Sequence, residues 1–237
     1  MERLRALVRK EWEELFKIKM VIYGSVFLPL LMGGFAGFMV WTARDVPPEA
    51  QATLLNTALM YFLILPVMIP STLAVYSIVG EKEQGTLEPL LATPLSDWEL
   101  FLGKAVVAVV PALALTWALF GVFLAAVQVM LGQIPSTVLT LPWLLSMFLL
   151  APLLSLFAVL VSMLVSSRTS DPRAAYQFSG LAVVPTLIPL IVYSARFTAV
   201  NLFFVVGEGG GLILLNAVLL YIAVRVFQRE QVLTRWK

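Results

Sequence analysis

Long apolar runs recur along this chain from one end to the other. The stretch from Ala105 to Val165, which covers two of these runs, contains no Asp, Glu, Lys or Arg. A helix needs roughly 20 apolar residues to cross a bilayer core of about 30 Å. No block large enough for a separate soluble domain lies between the runs, so the sequence predicts an all-α polytopic membrane protein. Residues 20–237 form its membrane domain, and residues 1–19 precede it as a separate helix.

Six runs are long enough to span a membrane: Met20–Trp41, Leu54–Gly80, Ala105–Leu131, Leu141–Val165, Ala174–Ser194 and Leu212–Phe227. A shorter apolar piece, Phe197–Val206, ends in the run Gly207-Glu208-Gly209-Gly210-Gly211. Because glycine weakens a helix interior, we expect this run to break any helix. We therefore expect Phe197–Val206 to be re-entrant or to lie on the outer surface.

Basic residues are concentrated on one predicted side of the membrane. Fourteen of the 16 fall at the two termini or in the loops after spans two and four. Only Arg44 and Arg196 remain for the other side. Cytoplasmic loops carry the excess of Lys and Arg, so both termini and these two loops are predicted to be cytoplasmic in a multi-pass plasma-membrane protein.

The predicted outer loops are short: Thr42–Thr53, Gly132–Thr140 and Ala195–Gly211. Trp41 and Trp143 fall at outer ends of spans, where indole rings favour the membrane interface. Asp171 followed by Pro172 is typical of a helix start, here that of span five.

Several chemical classes are excluded by composition. The chain has no Cys and no His, which removes thiolate and imidazole metal sites and disulfides. It also has no Gly-x-x-x-x-Gly-Lys-Ser/Thr loop for ATP phosphates. We therefore expect this chain to have no catalytic, cofactor or metal site and not to be an enzyme. No feature of the sequence indicates binding to nucleic acid.

The first 19 residues have the pattern of an amphipathic helix. Apolar residues recur at three- and four-residue spacing, namely Leu4, Leu7, Val8, Trp12, Leu15 and Phe16. Charged residues fill the other faces. Such a helix is expected to lie in the membrane surface, in contact with lipid headgroups.

The stretch 81–104 is the only long polar segment between spans. Gly85 is suited to end the helix arriving from span two. Thr86 then caps a short helix that Pro94 stops, and Ser96 with Glu99 forms a capping box for the helix leading into span three. The pattern predicts a helix–break–helix elbow with an acidic rim beside apolar leucines, which favours a docking role over a plain solvated loop.

This stretch resembles the permease subunits of type-2 ATP-binding-cassette (ABC-2) transporters. That family carries an acidic pair, then Gly-Thr-Leu-Glu, a Leu-Leu-Ala-Thr-Pro run and a Gly-Lys. The corresponding residues here are Glu81 and Glu83, Gly85 to Glu88, Leu90 to Pro94, and Gly103-Lys104.

The resemblance implies that the elbow is a coupling helix, which docks into a groove of a separate ATPase subunit. The residues it assigns to this coupling are Glu81, Glu83, Gly85, Thr86, Leu87, Glu88 and Leu91. It further implies two ATPase copies that carry ATP and Mg²⁺, a second permease that forms a homodimer, and export by alternating access.

Two other functions stay open on the sequence. An ion-coupled secondary transporter usually keeps ionisable residues at membrane depth; here Glu208 is the acidic residue near the last span, and a loop carboxylate is the favoured interpretation. A membrane assembly protein without transport is the other alternative. A charge-free pathway weakly favours apolar or amphipathic cargo, and the cargo itself is not determined.

Overall fold

The computed structural model describes residues 2–15, 19–83, 85, 97–169, 171, 174–175, 177–181, 184, 187–189, 192 and 200–226. Every regular element in these ranges is helical, which confirms the all-α prediction. The helices are α1 (Glu2–Leu15), α2 (Lys19–Thr42), α3 (Pro48–Phe62), α4 (Leu65–Glu83), α5 (Asp97–Leu131), α6 (Leu141–Arg168) and α7 (Leu202–Val226). A 3₁₀ turn, Ala43–Asp45, follows α2.

Five stretches of the described chain are long and apolar enough to cross a membrane. They correspond to α2, α3 with α4, α5, α6 and α7. The predicted fifth span, Ala174–Ser194, is described only in part. Each of its described positions between 174 and 192 is helical. The polytopic architecture is therefore confirmed, while the number six stays a prediction.

The centre of the bundle is formed by α4, α5 and α6. α4 packs along α6 and α5, while α2 lies against α3 and α5 and α7 lies against α6. The hydrophobic core runs through these contacts and includes Phe62, Leu160 and Met163. Outward-facing side chains of α2 and α7 are apolar as well, for example Phe27 and Phe203, as expected where lipid replaces water as the solvent.

Span two consists of two helices, with a turn at Leu63 and Ile64 between them. The physical reason is Pro66: in an uninterrupted helix its ring would collide with the carbonyl of Phe62, and it has no N–H to donate to that carbonyl. The first of these helices begins at Pro48, with proline in the first turn where its missing N–H costs nothing. The loop predicted over Thr42–Thr53 is therefore shorter than expected and partly helical.

The prediction that the glycine run breaks the last helix is wrong. α7 continues without interruption from Leu202 through Gly207 to Gly211 and on to Val226. Each glycine costs a helix only about 1 kcal/mol, and the carbonyl and N–H groups of a membrane helix have no better partners than each other. Gly209 also meets its neighbour closely, since a Cβ there would lie 3.4 Å from Leu150 Cδ2. Consequently Leu202–Val206 is part of the span, and the predicted outer loop Ala195–Gly211 ends before Leu202.

Trp143 lies in the first turn of α6, at the predicted end of span four, but it does not have the exposed side chain expected of an indole at the membrane interface. Its side chain is fully buried, and its Nε1–H donates to Asn56 Oδ1 at 2.6 Å. Trp41, by contrast, is exposed at the end of α2. A buried indole needs an acceptor for its N–H, and Asn56 on α3 supplies one, so this tryptophan joins two helices inside the protein.

Two helix ends follow their sequence signals. α5 ends at Leu131, and Gly132 takes the left-handed conformation with φ 72°. At the predicted start of span five, the N–H of Ala175 donates to the carbonyl of Asp171 at 3.0 Å. This is the first hydrogen bond expected of a helix that Asp171 caps.

Candidate functional site

A buried ion network joins α1, α4 and α5. At its centre is the ammonium group of Lys104 on α5, which lies 2.6 Å from Glu11 Oε1 on α1 and 3.0 Å from Glu81 Oε2 on α4. The side chains of Lys104 and Glu11 are each 3% exposed, and that of Glu81 is 5% exposed. One cation therefore holds two carboxylates that come from different helices.

Ser77 completes the network from α4. Its hydroxyl donates to Glu11 Oε2 at 2.6 Å. Its carbonyl oxygen accepts from Lys104 Nζ at 2.9 Å, and its Oγ lies 3.1 Å from the same nitrogen. Lys104 thus has an oxygen for each of its N–H donors, and both oxygens of Glu11 are bonded, as burial of these charges requires.

The rim of the network is formed by α1. Lys10 Nζ lies 3.7 Å from Glu81 Oε1 and 3.7 Å from Glu14 Oε1. The buried carboxylate of Glu81 therefore faces a second cation at the half-exposed edge.

Removing one member of a buried charge group leaves its partners uncompensated, at a cost of about 3–5 kcal/mol. The network consequently fixes the position of α1 against the two helices on either side of the elbow. The network specifies where α1 packs more than it adds net stability, because the cost of desolvating the charges offsets much of their Coulomb attraction.

The elbow itself is partly outside the described residues. α4 continues to Glu83, and Gly85 is exposed with φ 65°, the left-handed conformation expected of a glycine after a helix end. Thr86, Leu87, Glu88 and Leu91 lie outside the described residues, so their predicted role stays a prediction. α5 begins at Asp97 and is continuous to Leu131, so the predicted second short helix is the first part of span three.

Glu81 differs from the expected acidic rim residue. Rather than being exposed toward a partner protein, its carboxylate is buried and has basic partners, Lys104 and Lys10, within the chain. A direct contact with an ATPase subunit stays untested for Glu81, and the structure gives this residue an internal role. Glu83 is the last residue of α4.

The sequence reasoning missed Glu11, Ser77 and the central position of Lys104. A signal for Glu11 was present in the α1 pattern. It falls on the same stripe as Leu4, Val8 and Leu15, at the three- and four-residue spacing of the apolar face. A carboxylate on that stripe requires a cation on the surface against which the helix packs, and Lys104 provides it.

A cavity of about 460 Å³ lies between α4 and the described part of the chain around residue 180. It is lined by Met68, Ser71, Gln177, Gly180, Leu181 and Val184. None of these six residues, which are the described part of the lining, is ionisable. The hydroxyl of the lining residue Ser71 is 2.7 Å from that of Ser162 on α6. The cavity therefore offers mostly apolar contacts and a few uncharged polar groups, which suits a neutral amphipathic molecule.

Over the described ranges, no group of three or more Asp and Glu side chains is placed to hold a metal ion. The charged groups of the ion network instead neutralise one another. The network therefore connects α1, α4 and α5 to one another.

Comparison with known proteins agrees with this description. The model of the family described as "ABC-2 type transporter" matches residues 2–194, which include α1 through α6 and the elbow. The chain is 50% identical over 46 residues to the "Probable multidrug ABC transporter permease YbhR" of Escherichia coli strain K12, and to the protein of the same description from strain O157:H7. Each match covers 19% of this chain and 12% of the relative's own length. A family match over most of the sequence, on a polytopic all-α fold, shows that this chain belongs to the ABC-2 type transporter family, the membrane components of ABC transporters.

Proposed function

We propose that this chain is the permease subunit of an ATP-driven exporter that works with two copies of a separate ATPase subunit. A second, identical permease completes the pathway. ATP and Mg²⁺ bind on the ATPase, and this chain converts closure of the ATPase dimer into alternating access. The family membership supports the role of this chain as the membrane component of a transporter. The structural features described below support the proposed coupling to the ATPase and the proposed class of cargo.

The observation that carries the proposal is the ion network of Lys104, Glu11 and Glu81. The elbow connects Glu83 to Asp97, so a partner that moves the elbow acts on the ends of α4 and α5. Because Lys104 binds both Glu81 and Glu11, movement of either helix end carries α1 with it. Three helices then respond as one unit to a push at one place.

The surface proposed to contact the ATPase is formed by Glu83, Glu88, Leu87 and Leu91. The carboxylates would pair with basic groups of the ATPase, and the leucines would fill an apolar groove. Gly85 and Thr86 would shape the elbow between them. Glu81, whose partners are internal, would act by holding the elbow to α1 and α5.

The first experiment expresses this chain with the ATPase encoded beside it and purifies the complex through a tag on this chain. Glu83→Arg and Leu91→Arg should each abolish co-purification and the ATP hydrolysis that depends on this chain. Glu49→Arg, at the exposed first turn of α3, is the matched control and should change neither. Retention of the complex and its activity in both elbow variants would refute the docking surface.

The cargo is proposed to be a neutral amphipathic molecule that enters the cavity beside α4. The absence of formal charge from 105 to 165 and the uncharged lining support this class. ATP-dependent uptake of a neutral fluorescent dye into inside-out vesicles tests it. Leu181→Trp should reduce uptake by filling the cavity, whereas Val129→Trp, at a position 83% exposed on α5, should not.

Both termini are proposed to be cytoplasmic. The chain has no native cysteine, so single introduced cysteines report orientation without background. A membrane-impermeant maleimide added to whole cells should label Arg44→Cys and leave Lys10→Cys unlabelled until the cells are opened. The reverse pattern would invert the proposed topology and place the elbow outside.

Ion-coupled transport is the second candidate because of Glu208. Contrary to expectation, this residue lies inside α7 and not in a loop, and its side chain is partly buried. An ionisable residue within a membrane helix is a candidate for ion transport. Glu208→Gln should leave ATP-dependent dye uptake unchanged under the proposed function. If uptake follows an imposed proton gradient without ATP and fails in this variant, the second candidate is correct.

A further inference from the structure

α6 contains one turn of π-helix, Ser146–Leu150, between two α-helical segments. At its end the N–H of Ala151 donates to the carbonyl of Ser146, five residues back, where an α-helix would use Met147. A π-turn therefore holds one extra residue, and such turns are rare and often mark functional positions.

Pro152 explains why this turn needs outside help. The carbonyl of Met147 has two possible backbone donors, Ala151 in an α-turn and Pro152 in a π-turn. Ala151 is already bonded to Ser146, and proline has no N–H. Met147 is fully buried. Its carbonyl would thus be left without a partner in an apolar interior, which is unfavourable.

Trp117 of α5 supplies the missing donor. Its Nε1–H donates to the Met147 carbonyl at 2.9 Å. Its ring also packs against that of the next residue, Phe148, with the ring centroids 5.6 Å apart. A side chain of one helix therefore satisfies the backbone of another at the point where proline leaves it unsatisfied.

The helix on each side of the turn is held in place separately. On the first side, Trp143 bonds Asn56 of α3. On the second side, the amide of Asn216 on α7 donates to the Leu153 carbonyl at 3.0 Å. The π-turn sets the rotation of one helical segment relative to the other. If the turn changed from π-helix to α-helix, the segment on one side would rotate by about 100° and shift by about 1.5 Å relative to the segment on the other side.

We propose that this π-turn is a register switch in α6, and that Trp117 holds it in the observed register. When α5 moves and the Trp117 bond breaks, the turn relaxes to an α-helix and Trp143 leaves Asn56. The inference concerns this chain alone, and it holds whichever partner drives α5 and whatever the cargo is.

A double-mutant cycle in mild detergent tests the hydrogen-bond accounting. Trp117→Phe keeps an aromatic ring and removes the donor, and should lower the midpoint of thermal unfolding by about 3–8 °C. Pro152→Ala restores a backbone N–H, so in that background Trp117→Phe should cost less than half as much. Trp41→Phe, at an exposed indole, is the matched control and should have no effect. Equal costs in both backgrounds, or no cost in the native one, would overturn the proposal.

A second cycle tests the change of register directly. Asn56→Leu removes the acceptor of the Trp143 N–H and should lower the midpoint of thermal unfolding in the native background. If Trp117→Phe has already let Trp143 leave Asn56, adding Asn56→Leu should cost less than half as much, whereas in the Trp41→Phe background it should cost as much as in the native protein. An undiminished cost with Trp117→Phe would show that Trp117 does not hold the register. Neither experiment uses the ATPase, so failure here is distinct from failure of the proposed function.

Discussion

Lys104 and Glu11 are separated by 93 positions in the sequence, and the Lys104 ammonium nitrogen lies 2.6 Å from the Glu11 carboxylate. The same nitrogen contacts Glu81 at 3.0 Å. These contacts bind the amphipathic N-terminal helix to the two helices that enter and leave the elbow. The N-terminal helix is therefore a structural part of the elbow's support as well as an amphipathic segment.

Lys104→Met should lower the free energy of unfolding by about 3–5 kcal/mol, because two buried carboxylates lose their common cation. Unfolding by a denaturing detergent, followed by circular dichroism, measures the change. Arg9→Met is the matched control, because the Arg9–Glu13 pair is exposed and lies on one helix. Its effect should stay within about 0.5 kcal/mol.

Removing a buried carboxylate together with the lysine should recover part of this loss. The double variant Lys104→Met with Glu11→Gln should be more stable than Lys104→Met alone, because one of the two uncompensated charges is gone. If the stability losses of the two single variants simply add in the double variant, the Lys104–Glu11 contact does not form in the folded protein.

Gly85→Ala should destabilise the elbow, because Gly85 has φ 65° and an L-residue there costs about 1–2 kcal/mol. Gly80 is the control within α4. Among the described residues, no atom lies within 4 Å of a Cβ built at Gly80, so Gly80→Ala should stabilise the helix by about 0.5–1 kcal/mol. Thermal unfolding measures both. Opposite signs are expected, and equal effects would contradict the left-handed conformation at Gly85.

Gly209→Leu should destabilise the protein by about 1–3 kcal/mol, because a Cβ at Gly209 is already 3.4 Å from Leu150 and a larger side chain overpacks the contact. Gly210→Leu is the matched control, since no atom of the part of the chain that the structure describes lies within 4 Å of a Cβ there. It should be neutral or stabilising in a continuous helix. Equal tolerance at both positions would argue against packing of α7 on α6.

Ser71→Ala should cost about 0.5–1.5 kcal/mol, because the buried hydroxyl of Ser162 loses its partner. The double variant Ser71→Ala with Ser162→Ala should cost less than the sum of the two single changes, since it removes both polar groups. Unfolding titrations on the four proteins of the cycle provide the measurement. Strict additivity would indicate that the two hydroxyls do not bond.

Features that depend on neighbouring residues along the chain were predictable from the sequence. The apolar runs of α2, α5 and α6 are long enough to span a bilayer, and helices occur there. Gly132 ends α5 as a glycine after a helix should, and Asp171 accepts the first bond of a helical turn. The length of an apolar run and the conformation of a glycine after a helix depend on a local segment of the chain. The sequence of that segment is therefore enough to predict them.

Features that depend on which helices meet were decided by the tertiary structure. The glycine run of α7 stays helical in contact with Leu150, Trp143 is buried because Asn56 faces it, and Glu81 is internal because Lys104 approaches from α5. Glu11 lies on the apolar stripe of α1, but its partner Lys104 is 93 positions away and could be identified only from the packing. The sequence by itself determined which segments enter the membrane as helices, because that follows from local transfer from water to lipid. Which polar groups those helices satisfy in one another was decided only by the packing, because each such contact needs two surfaces from distant parts of the chain.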